Sequence, residues 1–202
     1  MLIITSAVTL LPMLIGALLW AKLPQQLAIH WNAQGVADGV ASRTLVVFGF
    51  PVIFLVIHLA GIALTLFDSK NRNMKKKPFL LMLWLCPVLS LAVFSVVYSI
   101  ALGFLLRVEV MAPLLLGVMF IVIGNYMPKI EKNRTLGIKL PWTLRSEENW
   151  YKTHRLAGAL WVAGGVLILA TAFLGNMLIT FSTLIAMVLI PAVYSYVLYK
   201  GK

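Results

Sequence analysis

Residues 124–161 read GNYMPKIEKNRTLGIKLPWTLRSEENWYKTHRLAGALW, and this stretch lies between two long apolar runs. It is dense in basic, aromatic and turn-forming residues in a chain that is otherwise apolar. Asn125 and Pro128 come at the end of the run before it, where a membrane helix should stop. Gly137 and Pro141 exclude a regular helix between them, because glycine is permissive and proline lacks a donor and clashes with the preceding turn. Ser146 is expected to cap a new helix, with Glu147 and Glu148 in the first turn, where carboxylates favour the positive helix end. From there Trp150, His154, Gly158 and Trp161 recur at spacings of three and four, on one helical face. A cytoplasmic connecting loop would also be basic. A plain tether would not need Trp142, Trp150, Tyr151 and Trp161 crowded around Pro141, His154 and Arg155.

Working outward, the chain has 202 residues, 61% of them hydrophobic and 11% charged. Soluble domains carry roughly a quarter charged residues, and apolar runs of about 20 residues span a bilayer core. The expected fold is an all-α integral membrane protein with six transmembrane helices. The expected spans are Leu2–Ala21, Thr44–Phe67, Phe79–Ala101, Glu109–Tyr126, Arg155–Leu174 (extended inward from Ser146) and Ile179–Tyr199. Pro12, Pro51, Pro87 and Pro191 fall inside spans, where a bilayer helix tolerates them. The first run lacks a basic leader and is long for a signal, so it is expected to stay as span one. The organisation is then a two-span unit, 1–67, with an extracytoplasmic loop, 22–43, followed by a four-span unit, 79–202, with a cytoplasmic loop, 125–155. The two halves share a three-span layout but show no transporter-type repeat.

Charge sets the expected orientation. With the N-terminus inside, the cytoplasmic side gains Lys70, Arg72, Lys75, Lys76 and Lys77, then Lys129, Lys132, Arg134, Lys139, Arg145, Lys152 and Arg155, then Lys200 and Lys202. The outside keeps Lys22, Arg43 and Arg107. Both termini are therefore expected in the cytoplasm. The formal net charge of +11 would point to nucleic acid in a soluble protein. Here membrane lipids account for it, and no direct contact with nucleic acid is expected.

The series Gly124-Asn125, Met127-Pro128-Lys129, Asn133, Gly137-Ile138-Lys139, Pro141-Trp142-Thr143, Ser146-Glu147, Trp150, Thr153-His154-Arg155 and Gly158 resembles the signature of the SdpI family. These are bacterial membrane proteins named for immunity to a sporulation-delaying toxin. The family commonly has Arg where this chain has Lys139; the charge is kept and a bidentate fork is lost. The resemblance marks Asn125, Pro128, Asn133, Arg134, Gly137, Lys139, Pro141, Trp142, Arg145, Trp150, His154 and Arg155 as the functional signature loop. It implies a multi-pass protein of the bacterial inner membrane that protects against a secreted peptide toxin. It also implies a sensor role, in which a small cytoplasmic repressor protein is drawn to the membrane.

The outer loop is the second informative stretch. Pro24, His30, Trp31, Asn32 and Gly35 resemble a small domain of unknown function that often precedes the SdpI signature. Gly35 and Asp38-Gly39 are turn formers, and Trp31 suits the membrane interface. The loop either caps the helix ends or binds a ligand or toxin through His30, Trp31, Asn32 and Gly35.

Chemistry finds little support. The three histidines are His30, expected outside, His58, expected inside the membrane, and His154, expected in the cytoplasm. His58 is an intramembrane candidate by its position, although a neutral histidine there can simply hydrogen-bond a neighbouring helix. The one cysteine, Cys86, excludes an internal disulfide and carries no metal motif. Prenyl-protein endopeptidases show Glu-Glu-x-x-x-Arg, then Phe-x-x-x-His and a further His motif. This chain has Glu147-Glu148 with Lys152 in place of Arg, has Phe54 and His58 in reversed order, and lacks the third motif. No zinc helix, nucleophile elbow or phosphate loop is present in the sequence. The expectation is a non-enzyme with no catalytic residues, no metal and no cofactor. A transporter or exporter of an amphipathic peptide or small molecule is the first alternative, and a membrane-embedded enzyme the second.

Overall fold

The computed structural model describes residues 1–67 and 76–201. Of the basic residues counted above, Lys70, Arg72, Lys75 and Lys202 lie outside the described residues. The chain order is α1 (Leu2–Leu18), β1 (Gln26–Trp31), β2 (Ala37–Ser42), α2 (Phe50–Phe67), α3 (Lys76–Ala101), α4 (Val108–Tyr126), α5 (Pro141–Arg145), α6 (Glu147–Thr171) and α7 (Met177–Lys200). Among the described residues, five helical segments are long and apolar enough to cross a membrane: Leu45–Phe67, Lys76–Ala101, Val108–Lys129, Glu147–Leu174 and Met177–Lys200. Many of their side chains, such as Leu64, Val188 and Val193, are exposed, as lipid-facing residues are.

Two expectations need correction. The helix of the first run stops at Leu18, not Ala21; its 17 residues make about 25 Å at 1.5 Å per residue, against a bilayer core of about 30 Å. The fold is also not purely helical, because loop 22–43 contains an antiparallel hairpin of β1 and β2. Backbone pairing and burial of Leu27 hold that hairpin, whereas the β2 sequence ADGVAS has poor strand propensity. The second span opens with a π turn, Leu45–Gly49, immediately before Pro51. A widened turn at this point relieves the proline ring's conflict with the carbonyl four residues earlier.

The described residues form two compact units. One holds Met1–Leu64 and Leu80–Met111; the other holds the described parts of Thr65–Phe79 and Ala112–Lys202.

In the first unit, Leu23, Leu27, Val46, Val47, Phe94, Val97 and Tyr98 form a buried core beneath the hairpin. Polar side chains fasten α1 to its neighbours. Thr5 and Thr9 are fully buried. His58 Nε2 lies 3.0 Å from Thr5 Oγ1. Ser90 donates to the Thr9 carbonyl at 2.9 Å, and Tyr98 donates to the Pro12 carbonyl at 3.1 Å. Away from water each buried hydroxyl needs such a partner. Gly16 makes room for one of them, since a Cβ there would stand 2.5 Å from the Tyr98 hydroxyl.

In the second unit, α4 and α6 cross on glycine. A methyl group at Gly117 would stand 2.9 Å from the Gly165 carbonyl oxygen, and one at Gly124 would stand 2.9 Å from the Gly158 carbonyl oxygen. The pairs are two turns apart on each helix and run in opposite directions, so the helices are antiparallel. Apolar helices in lipid associate by such close backbone approach. Phe120 and Trp161 close the same seam edge to face, with ring centroids 5.2 Å apart.

Candidate functional site

The signature segment is folded. It leaves α4 through a 3-10 turn, Met127–Lys129, with Pro128 inside it. Pro128 lies against α6, where a Cβ on Gly158 would stand 2.8 Å from the proline Cδ. Asn133 then builds the next turn. Its Oδ1 accepts from the backbone N–H of Thr135 at 2.8 Å and of Leu136 at 2.6 Å, and its Nδ2 donates to the Glu131 carbonyl at 2.7 Å. Gly137 has φ +104°, which a side chain would strain, and a Cβ there would run into His154 Nε2.

His154 fastens this loop to α6. Its Nε2 accepts the backbone N–H of Ile138 at 3.0 Å, and its Nδ1 lies 2.8 Å from the Trp150 carbonyl. An acceptor Nε2 and a donor Nδ1–H together define a neutral imidazole. The Trp150 ring stacks on it with centroids 4.0 Å apart and 21° between the planes. The Trp150 indole N–H in turn donates to the Ile130 carbonyl at 2.8 Å. His154 is 1% exposed and Trp150 2%, so these bonds satisfy loop carbonyls and amides that water does not reach.

A second set of bonds ties α5 to α7. Thr143 Oγ1 accepts from the Leu140 N–H at 2.9 Å and donates to the Ile138 carbonyl at 2.8 Å, closing the turn at Pro141. Trp142 donates its indole N–H to Ser195 Oγ at 2.7 Å, and Asn149 Nδ2 donates to the Ser195 carbonyl at 2.8 Å. Ser146 caps α6, its Oγ accepting the Asn149 N–H at 3.2 Å. Trp142 and Trp150 take separate partners. Trp142 meets Tyr196 and Tyr199 of α7 at 5.2 and 6.4 Å, and Trp150 meets His154.

Of the signature residues, Asn133, Gly137, Trp150 and His154 come together around this loop, while Pro141 and Trp142 carry it to α7. Asn125 is exposed, and the loop backbone is satisfied by Asn133, Thr143 and His154. Arg134, Lys139, Arg145 and Arg155 are exposed. Sequence reasoning missed Asn149 and Ser195. Asn149 follows its cap by three residues, a position that carried a signal; Ser195 carried none.

In the first unit, the four outer-loop residues meet in the hairpin. Asn32 Oδ1 accepts from Gln34 N–H and Val36 N–H, both at 3.0 Å, and Gly35 turns the chain with φ +74°. His30 Nδ1 lies 2.5 Å from Asp38 Oδ1 across the strands. Gly39 opposite lacks the side chain that would stand 2.9 Å from His30 Cβ. Trp31 is half-buried against the core. Arg43 anchors the base, donating to the Trp20 and Leu23 carbonyls at 2.7 and 2.8 Å while its guanidinium lies 4.2 Å over the Trp20 ring. Among the described residues, no three His, Cys, Asp or Glu side chains come together to hold a metal.

Residues 129–195 match the model of the SdpI/YfhL protein family, and residues 7–55 match a domain of unknown function, DUF1648. The immunity protein SdpI of Bacillus subtilis (strain 168) is 28% identical over 202 residues, covering 98% of this chain and 95% of the relative. That name is of an immunity protein and indicates no enzymatic activity. No solved structure matches the chain.

Proposed function

We propose, from the match of residues 129–195 to the SdpI/YfhL family model and the likeness of nearly the whole chain to an immunity protein, that it protects a bacterial cell against a secreted antimicrobial peptide. The observation that carries this reading is the His154-fastened loop, which lies within the residues that match the family and is built from the signature side chains. In this reading both termini and the signature loop face the cytoplasm, and the hairpin faces outward in the bacterial inner membrane. The hairpin offers His30, Trp31 and a turn ordered by Asn32 to an apolar peptide. The signature loop holds Arg134, Lys139, Arg145 and Arg155 outward as a basic face. Such a face suits an acidic surface on a small repressor protein, which supports a sensor role beside immunity.

The test is expression in a sensitive Gram-positive host challenged with a panel of secreted antimicrobial peptides, the sporulation-delaying toxin first. Wild-type protein is expected to restore growth on at least one peptide, and His154→Ala to lose that protection at equal membrane abundance. Sensitivity equal to the empty vector across the panel would overturn the immunity reading. Protection that disappears when the proton gradient is collapsed would favour export of the peptide instead.

A further inference from the structure

We propose that the cavity at the junction of α5, the start of α6 and the end of α7 binds the phosphodiester headgroup of an anionic phospholipid. The cavity holds about 470 Å³, within the ordinary range of small-ligand pockets and sized for a headgroup rather than a protein segment. It lies at the end of two membrane-spanning helices, where headgroups lie.

Its lining divides by chemistry. Trp142 and Tyr199, stacked at 6.4 Å with 27° between their planes, give it an aromatic wall, and Leu198 an aliphatic one. The Trp142 N–H is already committed to Ser195, so the ring offers its apolar face. Glu148 and Lys152 also line the cavity but neutralise each other at 2.7 Å. Arg145 remains, exposed and without an ion pair to another described residue. Ser146 lies beside it. Its oxygen accepts the Asn149 N–H, and its hydroxyl proton has no acceptor among the described residues.

A guanidinium fork next to a free hydroxyl donor complements a phosphate oxyanion, and arginine binds phosphate by paired charge-assisted bonds. A lone cation balanced by nothing else favours a ligand of net negative charge. The choice of a lipid over free phosphate rests on what lies outside the cavity. Leu198 and Tyr199 belong to α7, an apolar helix long enough to cross a membrane, whose outward side chains, Val193 and Val197 among them at 61% exposure, give acyl chains a surface on the same helix. Lys200, 5.3 Å over the Tyr196 ring, adds a second positive charge at the same helix end.

The experiment is native mass spectrometry of the full-length protein in detergent, titrated separately with phosphatidylglycerol and phosphatidylcholine. Phosphatidylglycerol adducts are expected to exceed those of phosphatidylcholine. Arg145→Ala is expected to weaken phosphatidylglycerol binding about tenfold, the scale of a lost charge-assisted contact. Leu198→Trp, which fills the cavity and leaves every charge in place, is expected to weaken it as well. Equal adducts of the two lipids, or Arg145→Ala retaining full binding, would overturn the proposal. Displacement of phosphatidylglycerol by millimolar inorganic phosphate would also overturn it, in favour of a free-phosphate site. The measurement uses no toxin, so the immunity reading can fail without affecting it.

Discussion

Trp161 donates its indole N–H to the carbonyl oxygen of Met187 at 2.9 Å, and Met187 lies four residues before Pro191 in α7. A proline has no N–H to give to that carbonyl, so the tryptophan of α6 supplies the donor that α7 lacks. Inside a bilayer no water can take its place. Trp161→Phe is expected to cost about 1–3 kcal/mol, the penalty of an unsatisfied buried acceptor. Pro191→Ala returns a backbone donor, so the same Trp161→Phe change should cost less in that background. Unfolding of the four proteins in detergent measures the coupling. Equal cost in both backgrounds would show that the bond does not compensate for the proline.

The glycine seam gives a second prediction. Gly158→Ala places a methyl group 2.8 Å from the Gly124 carbonyl and from the Pro128 ring. Separating the helices to admit it should cost about 1–3 kcal/mol, as overpacking does, and membrane abundance should fall. Gly61→Ala is the control, since its Cβ would meet nothing within 4 Å. Normal abundance and melting of Gly158→Ala would contradict the close crossing of α4 and α6.

The sequence showed what is local and hid what is distant. The positions of the five long apolar helices followed from apolar length, and the Ser146 cap from a preference expressed within one turn. The need for a turn near Gly137 and Pro141 was readable because both residues carry their backbone restrictions with them. The partners of that turn were not readable. Asn149 bonds Ser195 across 46 residues and Trp142 bonds it across 53, and nothing around Ser195 marks it. The hairpin was hidden for a different reason: β2 is a strand by pairing and not by propensity.

Orientation is tested by thiol labelling. Ala33 is exposed in the hairpin turn, and with Cys86 replaced an Ala33→Cys variant carries a single thiol. A membrane-impermeant reagent should label it in intact cells. Labelling only after permeabilisation would invert the proposed topology.

The hairpin's role is tested by alanine substitution, with membrane abundance as the check on folding. Trp31→Ala is expected to reduce protection with normal membrane abundance. Asn32→Ala should do so as well, since it removes the acceptor for two turn amides. Full protection by His30→Ala, Trp31→Ala and Asn32→Ala alike would leave the hairpin as a cap over the helix ends.

The account rests most heavily on residues 130–145 being a folded surface fastened by His154. A protease must draw several residues of backbone into its cleft, so cleavage reports local opening. The direct measurement is trypsin cleavage at Lys132 and Lys139 in inverted membrane vesicles, comparing wild type with His154→Ala. Wild type should resist cleavage there, and the variant, with the Ile138 N–H left unbonded and the Trp150 stack lost, should be cut rapidly. Rapid cleavage of the wild-type segment, or equal resistance of both proteins, would contradict the claim.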